Sequence, residues 1–358
     1  MATSLITQIP IFVFSSQLRE IEFSTDLDKL IITLEDGTTE IFRTTIYAYE
    51  GKASLINIVE IIENYMIIND RVFTAFTMYY RKADDSIIDY FNINTVFCTH
   101  IINDDAVILS LTNFLTSMLS RRVPRHSVNT LSMLHGQDNG MLKAHCVFTT
   151  SDNSTQNTII EIKELWTDDI GVMSLRIDYN EILSLVKKVY ANADRLLSYT
   201  IEYNGRFCTY YVVDNTPNVV FTFKNCFNVY EEIFLNAVTT TKTKVNRSMA
   251  ISQGRHSFYD QSVDKTYEVE TAPMSQAEAE WVEQLFMSHS VRLGTASDPD
   301  TLPEVIITDS TCEIDDNDEK LHKVKFTWQF VEHRPHLQTS ARTDEQRIFT
   351  EPYNHTFN

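Results

Sequence analysis

The sequence predicts a mainly β protein with a few α-helices, built of β-sandwich or split-barrel domains that each carry a helix. Three observations predict it. Short apolar–polar alternations, the period of half-buried strands, recur along most of the chain. The turns Glu35-Asp36-Gly37 and Asn204-Gly205 lie between β-branched runs, where they favour tight hairpins. Only the stretches near 54–65, 178–189 and 275–286 space their apolar residues three and four apart, as a helix requires.

Taken in order, segments 11–14, 21–24 and 30–34 alternate as strands, and the turn at Gly37 leads into 39–43. Ser54 is placed to cap a helix whose face holds Leu55, Ile58, Ile61, Ile62 and Tyr65. Strands follow at 72–80 and 87–93, with 97–100 and 107–111 as extensions of the sheet. The middle of the chain repeats this order. Strands at 144–149, 158–165 and 172–177 precede a helix capped by Asp178, with Ile182, Leu183, Leu185, Val186 and Val189 on it. A hairpin, 197–203 and 207–213, then turns at Asn204-Gly205. The runs after the two helices, 73–80 with 89–94 and 199–203 with 210–215, match in character and imply a duplicated sheet–helix–hairpin unit. The last third differs. Strands at 244–251 and 265–271 precede a capping box, Ser275 to Glu278, and a helix through Trp281, Leu285 and Phe286. Strands at 305–308 and 323–331 follow. The domains expected are therefore 1–125, 126–235 and 236–336, with a polar, aperiodic tail at 337–358 that reads as flexible or ordered by a partner.

Composition narrows the function. The chain has 358 residues, 43% of them hydrophobic, and a net charge of −19. That charge argues against specific nucleic-acid binding, which rests on clustered Lys and Arg. Two short basic knots, Arg121-Arg122-Val123-Pro124-Arg125-His126 and Lys242/Lys244/Arg247, read as solvated loops. The five cysteines, Cys98, Cys146, Cys208, Cys226 and Cys312, are dispersed and form no CxxC pair, as buried free thiols in a reducing compartment would. Met1-Ala2-Thr3-Ser4 lacks the basic start of a secretory signal, so synthesis and assembly in the cytoplasm are expected, and the N-x-S/T matches at Asn153, Asn246 and Asn354 read as chance. No apolar run is long enough for membrane insertion as a helix.

No nucleophile elbow, phosphate loop, dinucleotide fingerprint or zinc-protease motif occurs. The acidic turn Asp315, Asp316, Asn317, Asp318, Glu319 has the oxygen ligands of a Ca²⁺ loop, but lacks its glycine and distant glutamate, and reads as a solvated tip. His333 and His336 lie three apart, but Pro335 forbids the helix that would align them on a metal. A glycosidase pair needs only two carboxylates at the right separation, and 49 acidic residues single out none. No catalytic, cofactor-binding or metal-ligating residue is assigned, no cofactor is expected, and the chain reads as a non-enzyme. The 21 Phe, 16 Tyr and 3 Trp read first as core and cross-strand packing. A glycan-binding shelf is the alternative.

The stretch Phe221-Thr222-Phe223-Lys224-Asn225-Cys226-Phe227-Asn228-Val229-Tyr230-Glu231-Glu232 resembles a Phe-x-Phe-x-Asn-x-Phe-Gly-x-x-Glu segment of tail proteins in phages and prophages of Bacteroides-type bacteria, departing from it at Asn228. The similarity continues in the basic strand Thr243-Lys244-Val245-Asn246-Arg247 and in Tyr267-Glu268-Val269-Glu270-Thr271-Ala272-Pro273. It extends through the acidic helix with Glu278 and Trp281, through Pro303-Glu304-Val305-Ile306-Ile307-Thr308-Asp309-Ser310, and to Phe326-Thr327-Trp328-Gln329-Phe330. It covers roughly residues 145 to 335. The resemblance implies a virion structural protein of the tail, tail tip or baseplate. The last third is also similar to the belt of distal tail proteins, which implies a ring-forming homo-oligomer in contact with other tail or neck proteins. A receptor-binding module at the tail tip and a carboxylate-based glycoside hydrolase remain the alternatives.

Overall fold

Alternating apolar residues build two sheets from the first hundred residues. The computed structural model describes residues 3–10, 12–101, 112–136, 139–167, 169–252, 255–312 and 321–332. The small sheet runs Ser4–Leu5, Glu20–Ser24, Lys52–Ile56, and the larger runs Phe12–Phe14, Ile87–Val96, Phe73–Arg81, Lys29–Asp36, Thr39–Tyr47. Phe23, Leu30, Ile32, Leu34, Phe76, Met78 and Ile93 point inward, all fully buried. They share one core with Ile58, Ile62 and Met66 of helix α1 (Ile58–Ile68). Each such side chain contributes roughly 1.5–3 kcal/mol on burial, so sheets and helix hold as one body.

Helix α1 begins later than a Ser54 cap would start it. Ser54 pairs with Glu22 inside the strand Lys52–Ile56. Asn57, at φ 62°, turns the chain from strand into helix through the left-handed region that Asn tolerates. Residues 97–100 are likewise no strand. The amides of Phe97, Cys98 and Thr99 donate to Val72 O, Ser15 Oγ and Cys226 O, so this segment ties the first unit to the third.

The second unit has the same order. Its small sheet pairs Val128–His135 with Gly171–Asp178. Its larger sheet runs Ser120–Pro124, Arg206–Val213, Ala193–Tyr203, Asn139–Thr150, Thr155–Trp166. Helix α2 (Tyr179–Val189) is capped by Asp178, whose Oδ1 accepts from Asn180 N at 2.8 Å. In both larger sheets the first strand in the chain lies parallel to the last, Phe12–Phe14 beside Ile87–Val96 and Ser120–Pro124 beside Arg206–Val213. All other strand pairs within these units are antiparallel. Ser120–Pro124 thus joins the second sheet, although it precedes residue 125.

The third unit is one antiparallel sheet: Tyr230–Leu235, Val219–Lys224, Val291–Leu293, Glu304–Cys312, Val324–Phe330, Arg255–Thr271, Ala237–Ser252. It takes in two strands that precede residue 236. Helix α3 (Gln276–Met287) opens on a reciprocal capping box between Ser275 and Glu278 and packs Ala279, Val282 and Leu285 on Phe221, Phe223 and Phe326. The three units meet in a small apolar cluster of Phe14, Val96, Cys98, Leu115, Leu134, Cys226, Phe227 and Val229. The chain is therefore mainly β and of sandwich type, with three α-helices among the described residues. The acidic turn at 315–319, His333 and His336, the segment 107–111 and the tail 337–358 lie outside the described residues.

Phe221 is fully buried, with ring centroids 5.9 Å from both Phe326 and Trp328. Phe221→Ala is expected to cost about 3–5 kcal/mol, read as a lower denaturant midpoint with an unchanged slope.

Candidate assembly interface

The last two strands of the third sheet outgrow it. Ala237–Ser252 and Arg255–Thr271 stay paired from Ala237/Thr271 to Ser252/Arg255. Their neighbour Val324–Phe330 accompanies them only at Tyr267–Glu270. From Lys242 to Ser252 both edges of the ribbon are therefore unpaired among the described residues, over about 35 Å at ~3.4 Å per residue. Thr239, Thr240, Thr241, Thr243 and Val245 are β-branched and favour this extended form. Residues 241–247 are all exposed, and successive strand residues face opposite sides, so both faces of the arm are open to water. Met249 and Ile251 are 61% and 69% exposed. A two-stranded ribbon on its own is marginal in water, and its exposed Val245, Met249 and Ile251 fall at alternate positions on one side of the strand.

The root of the arm is rigid. Asn218 clamps Ala237, its Oδ1 accepting from Ala237 N at 2.8 Å and its Nδ2 donating to Ala237 O. Tyr267 stacks on Trp328 at 4.1 Å and 11°, with Phe330 edge-on at 5.8 Å. Lys323 and Lys325 approach Glu270 to 3.1 and 3.3 Å and hold its carboxyl below the usual glutamate range.

Beneath the root, two consecutive glutamates lock the third unit to the second. Glu231 and Glu232 project from opposite faces of Tyr230–Leu235, and both are buried. Glu231 Oε1 lies 3.0 Å from Arg121 Nη1 as an ion contact without an aligned hydrogen bond. Glu231 Oε2 accepts from Asn225 Nδ2 at 3.0 Å and Trp281 Nε1 at 3.3 Å. The Arg121 guanidinium also sits 5.3 Å from the Tyr210 ring and 5.4 Å from that of Trp281. Burial opposes its charge, and Tyr210 and Glu231 outweigh that cost, so the guanidinium stays protonated. Glu232 accepts from Thr130 N at 2.5 Å and Thr130 Oγ1 at 2.7 Å. Burial still raises its carboxyl above the ordinary value.

The basic knot at 121–126 is thus not a solvated loop. Arg121 is 2% exposed, Arg122 forks onto Glu278, and Arg125 reaches Asp214 at 2.6 Å. His126 Nδ1 lies 2.6 Å from Asn180 Oδ1. The second knot, Lys242, Lys244 and Arg247, lies exposed on the arm. Sequence reasoning missed Asn225, Glu231, Glu232 and Trp281. The one signal was a pair of acids inside an otherwise apolar strand, Tyr230-Glu231-Glu232-Ile233-Phe234-Leu235.

A cleft of about 130 Å³ between the second and third units is lined by Val213, Ile233, Leu235, Met274 and Val282, with the Arg122–Glu278 pair on its wall. A second, of about 500 Å³, is lined by Arg125, His126, Asp214, Pro217 and Gly294. Each holds a single carboxylate, tied to arginine. Cys98, Cys146, Cys208 and Cys226 are buried and unbridged, and burial pushes the Cys146 thiol up to about 12. On the outer face of the first unit Tyr79 and Tyr90 lie 5.6 Å apart, away from both clefts.

Arg121→Met removes the buried ionic partner of Glu231. It is expected to cost about 3–5 kcal/mol, and pairing it with Glu231→Leu is expected to recover part of that, both measured by denaturant unfolding. At Glu278 burial opposes the charge, but Arg122 and Ser275 outweigh it and hold the carboxyl below its ordinary 4.5. A depressed carboxyl stabilises the fold above 4.5, and that contribution is lost as pH falls through the depressed value. Melting temperature followed downward from neutral pH is expected to drop less in Arg122→Ala than in the unaltered chain.

No protein family matches the chain, and no curated protein does. Among solved structures, the full extracellular region of plexin A4 is 8% identical with a TM-score of 0.21, covering 93% of this chain and 40% of that one. Trypsin-activated α2-macroglobulin from Escherichia coli is 7% identical with a TM-score of 0.21, covering 75% and 22%. The chain spans less than half of either protein, and likeness at this level extends to neither fold nor function.

Proposed function

We propose that this protein is a structural subunit that joins copies of itself through its projecting arm and free sheet edges, and that it performs no catalysis. The observation that carries this reading is the arm: a ribbon rooted in a rigid sheet, with both edges unpaired among the described residues and therefore open to strand addition by another chain. The narrower setting is the tail or tail tip of a bacteriophage, as a homo-oligomeric ring or connector assembled in the bacterial cytoplasm and carried in the virion. Its support is the resemblance of the segments between about 145 and 335 to such tail proteins.

Light scattering after size-exclusion is the test. The full chain is expected to form a defined oligomer. A variant lacking 244–263, closed by a short turn, is expected to be monomeric with little change in melting temperature, because the removed residues lie beyond the clamped root. A full chain that stays monomeric at every concentration, or a shortened chain that assembles equally well, overturns the proposal.

A further inference from the structure

Two buried cysteines from different units meet where the units join. Cys98 follows the strand Ile87–Val96 of the first unit, and Cys226 lies in the turn between Val219–Lys224 and Tyr230–Leu235 of the third. Both belong to the apolar cluster shared by the three units. Thr99 N donates to Cys226 O at 3.1 Å, so the two backbones lie side by side there. The two side chains interact directly, and that contact together with burial pushes the Cys226 thiol up. Cys146 and Cys208 differ. They sit in the second unit on strands separated by Ala193–Tyr203. Two strand spacings of ~4.8 Å exceed the ~7 Å beyond which α-carbons cannot be bridged.

The backbones around the pair are held in place. Ser15 Oγ accepts from Cys98 N at 2.9 Å and donates to Cys98 O at 3.0 Å. Across Cys226, Asn225 Oδ1 accepts from Phe227 N at 2.9 Å and Asn225 O accepts from Asn228 N at 2.9 Å. Thiols in contact on fixed backbones need only a side-chain rotation to bond. Cys98 is 0% exposed, whereas Cys226 is 7% exposed and lines a cleft of about 20 Å³ with Thr99, His100, Lys224 and His289. A space of that size takes a water-sized molecule and excludes a bulky disulfide such as oxidised glutathione. Peroxide is the oxidant that fits.

We propose that peroxide converts the pair to a Cys98–Cys226 disulfide that clamps the first unit to the third. The Cys226 thiolate attacks one peroxide oxygen, the O–O bond breaks, and hydroxide leaves a sulfenic acid on Cys226. The Cys98 sulfur then attacks the sulfenic sulfur and expels its oxygen as hydroxide. The two thiol protons turn the two hydroxides into water, and peroxide gains the two electrons that the sulfurs lose. Because the Cys226 thiol is held protonated, the first step is slow and quickens as pH rises. The inference goes beyond assembly and holds for a single copy.

Peptide mapping without reductant tests it on the folded full chain treated with hydrogen peroxide. The expected product is a linked pair of Cys98 and Cys226 peptides, lighter than their sum by two hydrogens. Cys146 and Cys208 are expected to stay open to alkylation after unfolding. The linked chain is expected to melt several degrees higher and to revert with dithiothreitol, because the bond closes a loop of more than a hundred residues. In Cys98→Ser, oxidation is expected to stop at a sulfenic acid on Cys226, trapped by dimedone. Free thiols at both positions once exposed Met249 has been oxidised, or a link that forms only in the unfolded chain, overturns the proposal. A linked chain with an unchanged melting temperature overturns the clamp.

Discussion

The buried contact between Arg121 and Glu231 is the constraint on which the rest of the structure depends. Removing two charges from water costs several kcal/mol each, so such a pair adds little net stability. What it adds is a single permitted arrangement. Glu231 reaches Arg121 only if the first strand of the third sheet lies against Ser120–Pro124, and Glu232 reaches Thr130 only if that strand also lies against Val128–His135. Two carboxylates on opposite faces of one strand thereby fix both its position and its rotation. The arm leaves the same stretch of chain at Ala237, so its direction relative to the second unit is set by the same contact.

The repeated topology explains why this locking is needed. Each of the first two units has a core built mainly of its own residues. Only a small cluster of buried side chains is shared by all three. Apolar contact is non-directional and leaves their relative rotation soft. Directional polar contacts restrict it: Arg121 with Glu231, Glu232 with Thr130, and Asn225 Nδ2 donating to both Leu115 O and Glu231. Lys224 adds a tie to Asp70 of the first unit. The polar residues between units fix geometry, and the apolar residues within units hold each together.

Local signals were legible in the sequence wherever they act locally. Asn204 and Gly205 adopt φ of 45° and 79°, as a tight turn between β-branched strands demands. Asp178 and Ser275 cap their helices because the accepting oxygen is the capping residue's own side chain. Failures came where distant chain decides. The run through Leu55, Ile58 and Ile62 is apolar across a strand-to-helix join, and periodicity alone does not mark the Asn57 turn within it. Val128–His135 buries Leu131, Ser132, Met133 and Leu134 in succession, because one side faces its own unit and the other the third, so no alternation shows. Arg121 reads as a surface residue until Glu231, more than a hundred positions later, is placed beside it. The arm reads in the sequence only as two short strands, 244–251 and 265–271, since the alternation of Val245, Met249 and Ile251 is interrupted by Arg247 and gives way to threonines toward the root.

Charge bears on how copies would meet in the proposed assembly. In that assembly, with +3 within Ala237–Ser252 from Lys242, Lys244 and Arg247 and hence −22 outside it in a chain of −19, the bodies of two copies repel while the arm of each is drawn toward the body of the other. Repulsion between like surfaces disfavours association through matching faces, and an arm that enters a different site on its neighbour makes a head-to-tail contact. Such contacts repeat from copy to copy until the rotation between neighbours closes a ring or continues as a filament. The rigid root decides between these outcomes. An arm that swung freely would accept any rotation, whereas one held by Asn218, the Tyr267–Trp328 stack and the Arg121–Glu231 lock delivers each neighbour at one angle. In that proposed assembly the charge distribution favours contact between arm and body, and the buried ion pair sets the direction from which the arm approaches.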